Sequence, residues 1–116
     1  MSRDLLAVHR RIEELDERLD NLVDQITSAA LVAAETEALF KSKFAQERLT
    51  VRIKHSGEKI TVDQVEDYAT IATSEERSAH LIAASTLTSL REALRACIAQ
   101  MDGARSEAAS YRGAGG

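Results

Sequence analysis

The chain of 116 residues has no proline, and its five glycines fall at positions 57 and 103 and within the last four residues. Proline and glycine are the residues that interrupt helices most strongly, so their absence from the first 56 positions permits a very long helix. Tryptophan is also absent, and the 44% of apolar residues are mostly alanine and leucine. Such small aliphatic side chains favour close helix–helix seams over a thick globular core.

Signals for export, membrane insertion and catalysis are missing as well. The N-terminus has no basic-then-apolar leader, and no apolar run approaches membrane length, which predicts a cytoplasmic protein without membrane contact. The single cysteine, Cys97, excludes an intrachain disulfide. His9, His55 and His80 show no metal-ligand spacing, and there is no glycine-rich phosphate loop. We therefore expect no enzyme activity, no metal, no cofactor and no small-molecule substrate.

What the chain does contain is a sustained heptad pattern in its first forty-four residues. Apolar residues spaced alternately three and four apart line one side of a helix and require a partner helix along that side. The pattern predicts a first helix over about residues 3–48. Its a and d positions are Leu5, Val8, Ile12, Leu15, Leu19, Leu22, Ile26, Ala29, Ala33, Thr36 and Phe40.

A second heptad pattern predicts a last long helix over about residues 75–111, followed by a flexible tail at 113–116. Cys97 takes the place of a small buried hydrophobic residue in this pattern. His80 also lies on the apolar side, where it must find a partner or lose its charge. The pattern consists of His80, Ala83, Leu87, Leu90, Leu94, Cys97, Met101 and Ala104.

Between the two long helices the periodicity changes. Val51 and Ile53 alternate with polar residues, and so do Ile60 and Val62, around a central Ser-Gly turn signal. Alternation with a period of two is typical of short strands. The connector over about residues 49–61 is therefore predicted as a β-hairpin, and the alternative is an irregular extended loop.

Two helix-capping signals follow the connector. Thr61, with Gln64 three residues later, predicts a capping box at the start of a short helix over residues 62–72. The run Thr73-Ser-Glu-Glu76 predicts a second box that restarts the chain as the last helix. The predicted fold class is all-α: one domain over residues 1–112, a long antiparallel helical hairpin with a short extended or β-hairpin connector and a short helix, assembling into a helical bundle.

The apolar side of the first helix widens in its second half. A widened, alanine-rich face indicates contact with more than one neighbouring helix. Two long helices packed only on each other would leave this face in water, so we expect a homodimer or a higher oligomer. The predicted interface consists of Val23, Ile26, Ala30, Leu31, Val32 and Leu39.

The net charge of −4 conceals a division along the chain. Residues 1–40 carry four arginines against nine acids, whereas residues 41–60 carry six basic residues against Glu47 and Glu58. Solvated helix faces must carry charges of some kind, which is the simplest interpretation. The alternative is that the basic stretch binds an acidic protein or nucleic acid. The predicted partner-binding residues are Lys41, Lys43, Arg48, Arg52, Lys54 and Lys59.

Three segments carry a resemblance to a known group of proteins. The segments are Glu35-Thr-Glu-Ala-Leu-Phe-Lys-Ser-Lys, Ile60-Thr-Val-Asp-Gln-Val-Glu-Asp-Tyr-Ala and Ser89-Leu-Arg-Glu-Ala-Leu-Arg-Ala-Cys-Ile. Over roughly residues 30–105 the chain resembles small helical coiled-coil early proteins of tailed bacteriophages and prophages. The resemblance implies a non-structural protein encoded near single-strand annealing and DNA-binding genes, without an assigned activity. Cys97 departs from the pattern, which has leucine or arginine there.

Three functional hypotheses follow from these features. The first is a non-enzymatic oligomeric helical adaptor or accessory protein in phage DNA recombination or replication, acting through protein contacts and weak DNA contact at the basic connector. The second is an acidic inhibitor of a host nuclease or repair protein, in which aligned carboxylates resemble DNA. The third is a phage assembly or scaffolding protein. We take the first as the working hypothesis, because six of the fifteen Lys and Arg residues lie in one twenty-residue stretch.

Overall fold

A computed structural model describes the backbone of residues 2–115 and the side chains of residues 4–113. The chain forms three α-helices: α1 over Ser2–Lys54, α2 over Val62–Ala72 and α3 over Ser74–Gly115. No strand forms within residues 2–115. The all-helical fold class is thereby confirmed. None of these helices is both long enough and apolar enough to cross a membrane.

The predicted β-hairpin is wrong, because α1 continues through its first strand to Lys54. Of the two apolar residues of that predicted strand, Val51 is buried, with 8% of its surface exposed, whereas Ile53 is 66% exposed. Val51 lies seven residues after Phe44, so it extends the inward side of the helix by two turns. Helix propagation satisfies each backbone group locally, while an isolated two-stranded hairpin is marginal in water.

The connector is reduced to residues 55–61, and it begins as a tight helical C-terminus. The amides of His55 and Ser56 donate to the carbonyls of Val51 and Ile53, at 3.0 and 3.2 Å. Gly57 then adopts a φ of +90°, the left-handed region in which a side chain would be strained. The Ser-Gly signal thus marks the end of a helix and not the turn of a hairpin.

The predicted capping box of α2 is confirmed. The Thr61 hydroxyl accepts a hydrogen bond from the Gln64 amide at 3.1 Å, and the Gln64 side chain accepts one from the Thr61 amide at 3.0 Å. The second predicted box, Thr73–Glu76, is not formed by the buried Thr73. Its hydroxyl donates instead to the Ala69 carbonyl at 2.7 Å, four residues earlier in α2. Thr73 is the single residue between α2 and α3, and its side chain serves the end of α2.

The chain divides into two compact units, and the first comprises Met1–Ser28 and Thr88–Gly116. Its core joins buried residues of α1 and α3 at heptad spacing, as both patterns predicted. Cys97 is 1% exposed, and its thiol donates to the Leu15 carbonyl at 3.5 Å. The cluster consists of Leu15, Leu22, Cys97, Met101 and Ala104, with Ile12, Leu19, Leu90, Ala93 and Leu94 packed around it.

The last residues of this unit differ from their prediction. Residues 113–115 continue α3 where a flexible tail was expected, and Gly116 lies outside the described residues. Each glycine in a helix costs about 1 kcal/mol relative to alanine.

The second unit is formed by Ala29–Leu87, which is the end of α1, all of α2 and the start of α3. Val65 and Ala69 of α2 are buried, together with Val51 of α1 and Ala83 of α3. The core is thin, since ten of the thirteen large apolar side chains that are exposed within residues 4–113 lie in this unit. They are Leu31, Val32, Leu39, Leu49, Ile53, Val62, Tyr68, Ile71, Leu81 and Ile82.

Candidate interaction surfaces

Five of the six predicted partner-binding residues lie on α1, and the sixth, Lys59, lies in the connector. Because each residue turns a helix by about 100°, residues seven or eleven positions apart share a side. Lys41, Arg48 and Arg52 therefore lie along one side of α1. Lys43 and Lys54 lie along another, about 200° away by the same period. The structure thus divides the predicted site into two faces.

The basic side chains are largely without ionic partners. Lys41 forms an ion pair with Glu37 at 2.8 Å, the common i, i+4 spacing of an exposed helix. The hydrogen bond and the positive charge of Lys41 lower the pKa of Glu37, with a further contribution from the charge of His80. In the part of the chain that the structure describes, Arg48 and Arg52 form no ion pair within 4.0 Å. Their charges are therefore available to a partner.

Exposed apolar side chains accompany these arginines. Leu49 is 61% exposed and Ile53 66%, one turn apart on α1. Ala45, Arg48, Leu49 and Arg52 line an open hollow of about 240 Å³. We call these residues, with Lys41, the basic face, and Ile53 follows Leu49 by one turn at its edge. A surface that combines guanidinium groups with exposed aliphatic side chains suits an amphipathic acidic partner as well as a chain of phosphates.

The phenylalanines beside the basic face point toward the interior of the unit. Phe40 and Phe44 contact each other with ring centroids 6.0 Å apart, and Phe40 stacks on His80 at 5.8 Å. The Arg48 guanidinium lies over the Phe44 ring, 5.9 Å from its centroid. Both phenylalanines are half-buried, so neither is free to stack on an unpaired base. The heptad position of Phe40 agrees with these contacts.

His80 and His55 occupy different environments. The Nδ1 atom of His80 is buried without a hydrogen-bond partner among the described residues, and the His80 ring stacks on the Phe40 ring. His55 Nδ1 lies 2.9 Å from a Glu58 carboxylate oxygen, and its ring stacks on Tyr68 at 5.4 Å. These contacts join the connector to α2 and hold the end of α1 in place. No sequence pattern predicted the His55–Tyr68 pair, because the two residues lie in different elements.

Only some of the predicted oligomer-interface residues lie on one exposed surface. Val32 and Leu39 are 49% and 52% exposed and lie one heptad apart on the same side of α1. Leu31 is 60% exposed, but it lies about 100° around the helix from Val32. Ile26 and Ala30 are half-buried, and Val23 is exposed but belongs to the first unit. Val32 and Leu39 are therefore the part of the prediction that forms one surface.

An acidic surface lies on α2. Its acids follow the outward side of the helix, opposite Val65 and Ala69, and all of them are exposed. None of these acids forms an ion pair with the arginines of the basic face, although both surfaces belong to the second unit. They are Asp63, Glu66 and Asp67.

No site for metal chemistry is found in the described part of the chain, since no three His, Cys, Asp or Glu residues group closely enough to hold an ion. The one thiol, that of Cys97, is buried. No family model, no curated protein and no solved structure matches this chain. Its function is therefore argued from its own surfaces.

Proposed function

We propose that this chain is a non-enzymatic, oligomeric helical adaptor whose basic face binds an acidic protein or nucleic acid. The observation that carries the proposal is the composition of that face. Arg48 and Arg52 have no ionic partner in the described chain, and the exposed Leu49 and Ile53 lie beside them. A helix end with this composition offers a partner both charge and apolar contact.

An acidic protein is the better supported of the two partner classes. Phosphates would neutralise the arginines but would leave Leu49 and Ile53 in water, whereas an amphipathic acidic helix would cover them. Phe40 and Phe44 are engaged in the interior, so the face lacks stacking groups for single-stranded nucleic acid. DNA contact is accordingly the weaker, salt-dependent alternative.

The biological setting we propose is phage DNA recombination or replication. It rests on the resemblance of residues 30–105 to early phage proteins, and gene neighbourhood is its direct test. Genes for annealing or DNA-binding proteins beside this one would support an adaptor of that process. A neighbouring tape-measure gene would favour the assembly or scaffolding alternative.

The experiment for the binding site uses two double variants. Arg48→Glu with Arg52→Glu reverses the charge, and Leu49→Ser with Ile53→Ser removes the apolar contact. Loss of a captured partner in both variants supports an acidic protein. Loss in the charge variant alone, with affinity that falls steeply as salt rises, supports nucleic acid. Unchanged binding in both would refute the basic face as the contact.

The exposed acids of α2 favour one second candidate, an acidic inhibitor of a DNA-binding protein. Carboxylates aligned along a helix present a row of negative charge to a basic groove. Replacing Asp63, Glu66 and Asp67 with their amides should abolish inhibition of a host nuclease if this candidate is correct. The same variant should leave an adaptor's partner bound.

A further inference from the structure

An apolar groove runs between α1 and α3 within the second unit. It has a volume of about 380 Å³ and is open to solvent along its length. Alanines form much of its lining, and Val32 and Ile82 stand at its edges with 49% and 67% of their surfaces exposed. The lining consists of Ala29, Val32 and Thr36 from α1 and Ala79, Ile82, Ala83 and Thr86 from α3.

The groove has no free polar group to attract a hydrophilic ligand. Its two hydroxyls are already used: Thr36 donates to the Val32 carbonyl at 2.8 Å, and Thr86 donates to the Ile82 carbonyl at 2.9 Å. None of the seven lining residues is charged. The surface therefore suits an aliphatic side chain on an approaching helix.

The same unit also presents a side chain of that kind. Leu39 is 52% exposed and lies one heptad after Val32, on the same side of α1. Ala29, Val32 and Thr36 are spaced three and four apart, which is the spacing of a hole that receives one knob from a facing helix. One copy thus carries both the knob and the hole.

We infer that the groove receives Leu39 of a second copy of this chain, in an antiparallel two-fold contact between the α1 helices. A two-fold axis between positions 35 and 36 places Leu39 of each copy opposite Val32 of the other. Each Leu39 then enters the hole beside the partner's Val32. The groove lining and Leu39 are uncharged, so seating Leu39 in the groove buries no charge there. This inference rests on the oligomeric part of the proposed function and specifies its geometry.

The size of the surface sets the expected strength of the contact. The seven lining residues and Leu39 are far fewer than the roughly 20–30 residues per partner of a standard stable interface. We therefore expect a dimer that dissociates on the order of 10 µM, in the range of weak and transient contacts.

Analytical ultracentrifugation of three proteins tests the contact. The wild type should show a monomer–dimer equilibrium, and Leu39→Asp should weaken it at least about 100-fold, because the carboxylate would enter a dry groove. Leu6→Asp is the matched control, since Leu6 is 63% exposed on the same helix but lies outside both the groove and the basic face. Its dimer should match the wild type. Both substitutions replace exposed side chains, so circular dichroism should show unchanged helix content.

The inference is overturned if the wild type stays monomeric at several hundred micromolar, if Leu39→Asp dimerises like the wild type, or if Leu6→Asp alone dissociates the dimer. These outcomes leave binding at Arg48 and Arg52 intact, so they are distinguishable from failure of the basic face. A monomer that still captures its partner would refute the dimer alone. A dimer that captures nothing would refute the basic face alone.

Disulfide trapping tests the direction of the helices. With the axis between positions 35 and 36, Glu35→Cys lies close to its own copy and should cross-link under oxidation. Gln46→Cys should not, because at about 1.5 Å per residue it lies about 30 Å from its copy in an antiparallel pair. In a parallel pair each position faces itself, so cross-linking of both variants would overturn the geometry. Cys97, being 1% exposed, does not interfere.

Discussion

The end of α1 can be tested by two single substitutions that distinguish a helix from a strand. Val51 is 8% exposed and Ile53 is 66% exposed. In a strand the two side chains would lie on the same face and would be equally buried, whereas in a helix they are separated by about 200°. Truncating each to alanine therefore measures which secondary structure forms.

The expected free energies differ clearly. Val51→Ala removes two buried carbon atoms, so unfolding should become easier by about 1.5–3 kcal/mol once the cavity is included. Ile53→Ala removes atoms that are mostly in water, and alanine is the better helix former, so its effect should stay within about 0.5 kcal/mol.

Urea unfolding at fixed protein concentration, followed by circular dichroism, measures both values. The concentration is fixed because self-association adds to the apparent stability. Equal losses for Val51→Ala and Ile53→Ala would refute the helical continuation and would restore the hairpin. A loss confined to Val51→Ala supports α1 as described.

Three further predictions concern local contacts. Thr61→Ala should lower the free energy of unfolding by about 1 kcal/mol, because it removes the capping box of α2, and Thr61→Ser should restore most of the loss in urea unfolding. Gly57→Ala should also destabilise the protein, by about 1 kcal/mol, since alanine is strained at a φ of +90°. The pKa of Glu37 lies below its usual value of 4.5 because of the hydrogen bond and charge of Lys41. The pair therefore stabilises the fold above pH 4.5, and this contribution is lost as pH falls through the folded pKa. In an NMR titration Lys41→Met should raise the Glu37 pKa toward 4.5, and an unchanged pKa would contradict this cause.

The long-range part of the fold was the most predictable from the sequence. The heptads around Leu15 and Cys97 specify which sides of α1 and α3 are buried, and the local residue types suffice to specify the Thr61 capping box. Thr73 was not predictable in the same way. Its hydroxyl can serve either of two neighbouring helices, and the choice depends on the geometry of the one-residue link between them.

The sequence predicted where basic residues concentrate, but not which of them share one side of α1. Val51 and Ile53 fit a strand and a helix equally well over so short a segment. The hairpin interpretation placed Arg52, Lys54 and Lys59 in the connector. Because α1 continues to Lys54, the helical period separates Lys43 and Lys54 from Arg48 and Arg52. Leu49 was not predicted as a contact residue, because its place beside Arg48 and Arg52 depends on the helical structure of this segment.

A matched pair of charge reversals tests the proposal that one side of α1 binds an acidic or anionic partner. Arg48→Glu with Arg52→Glu and Lys43→Glu with Lys54→Glu change the net charge equally, on different sides of the same helix. The measurement is fluorescence anisotropy of a labelled polyglutamate peptide and of a labelled DNA duplex at about 0.15 M salt, where charges beyond about 8 Å are screened.

We expect the arginine variant to lose at least about tenfold in affinity for one of the two probes, because each lost charge-assisted contact contributes about 1.5–3 kcal/mol. The lysine variant should change that affinity by less than about threefold, since its charges are screened from the basic face. Equal losses in the two variants, or binding of neither probe by the wild type, would contradict the account.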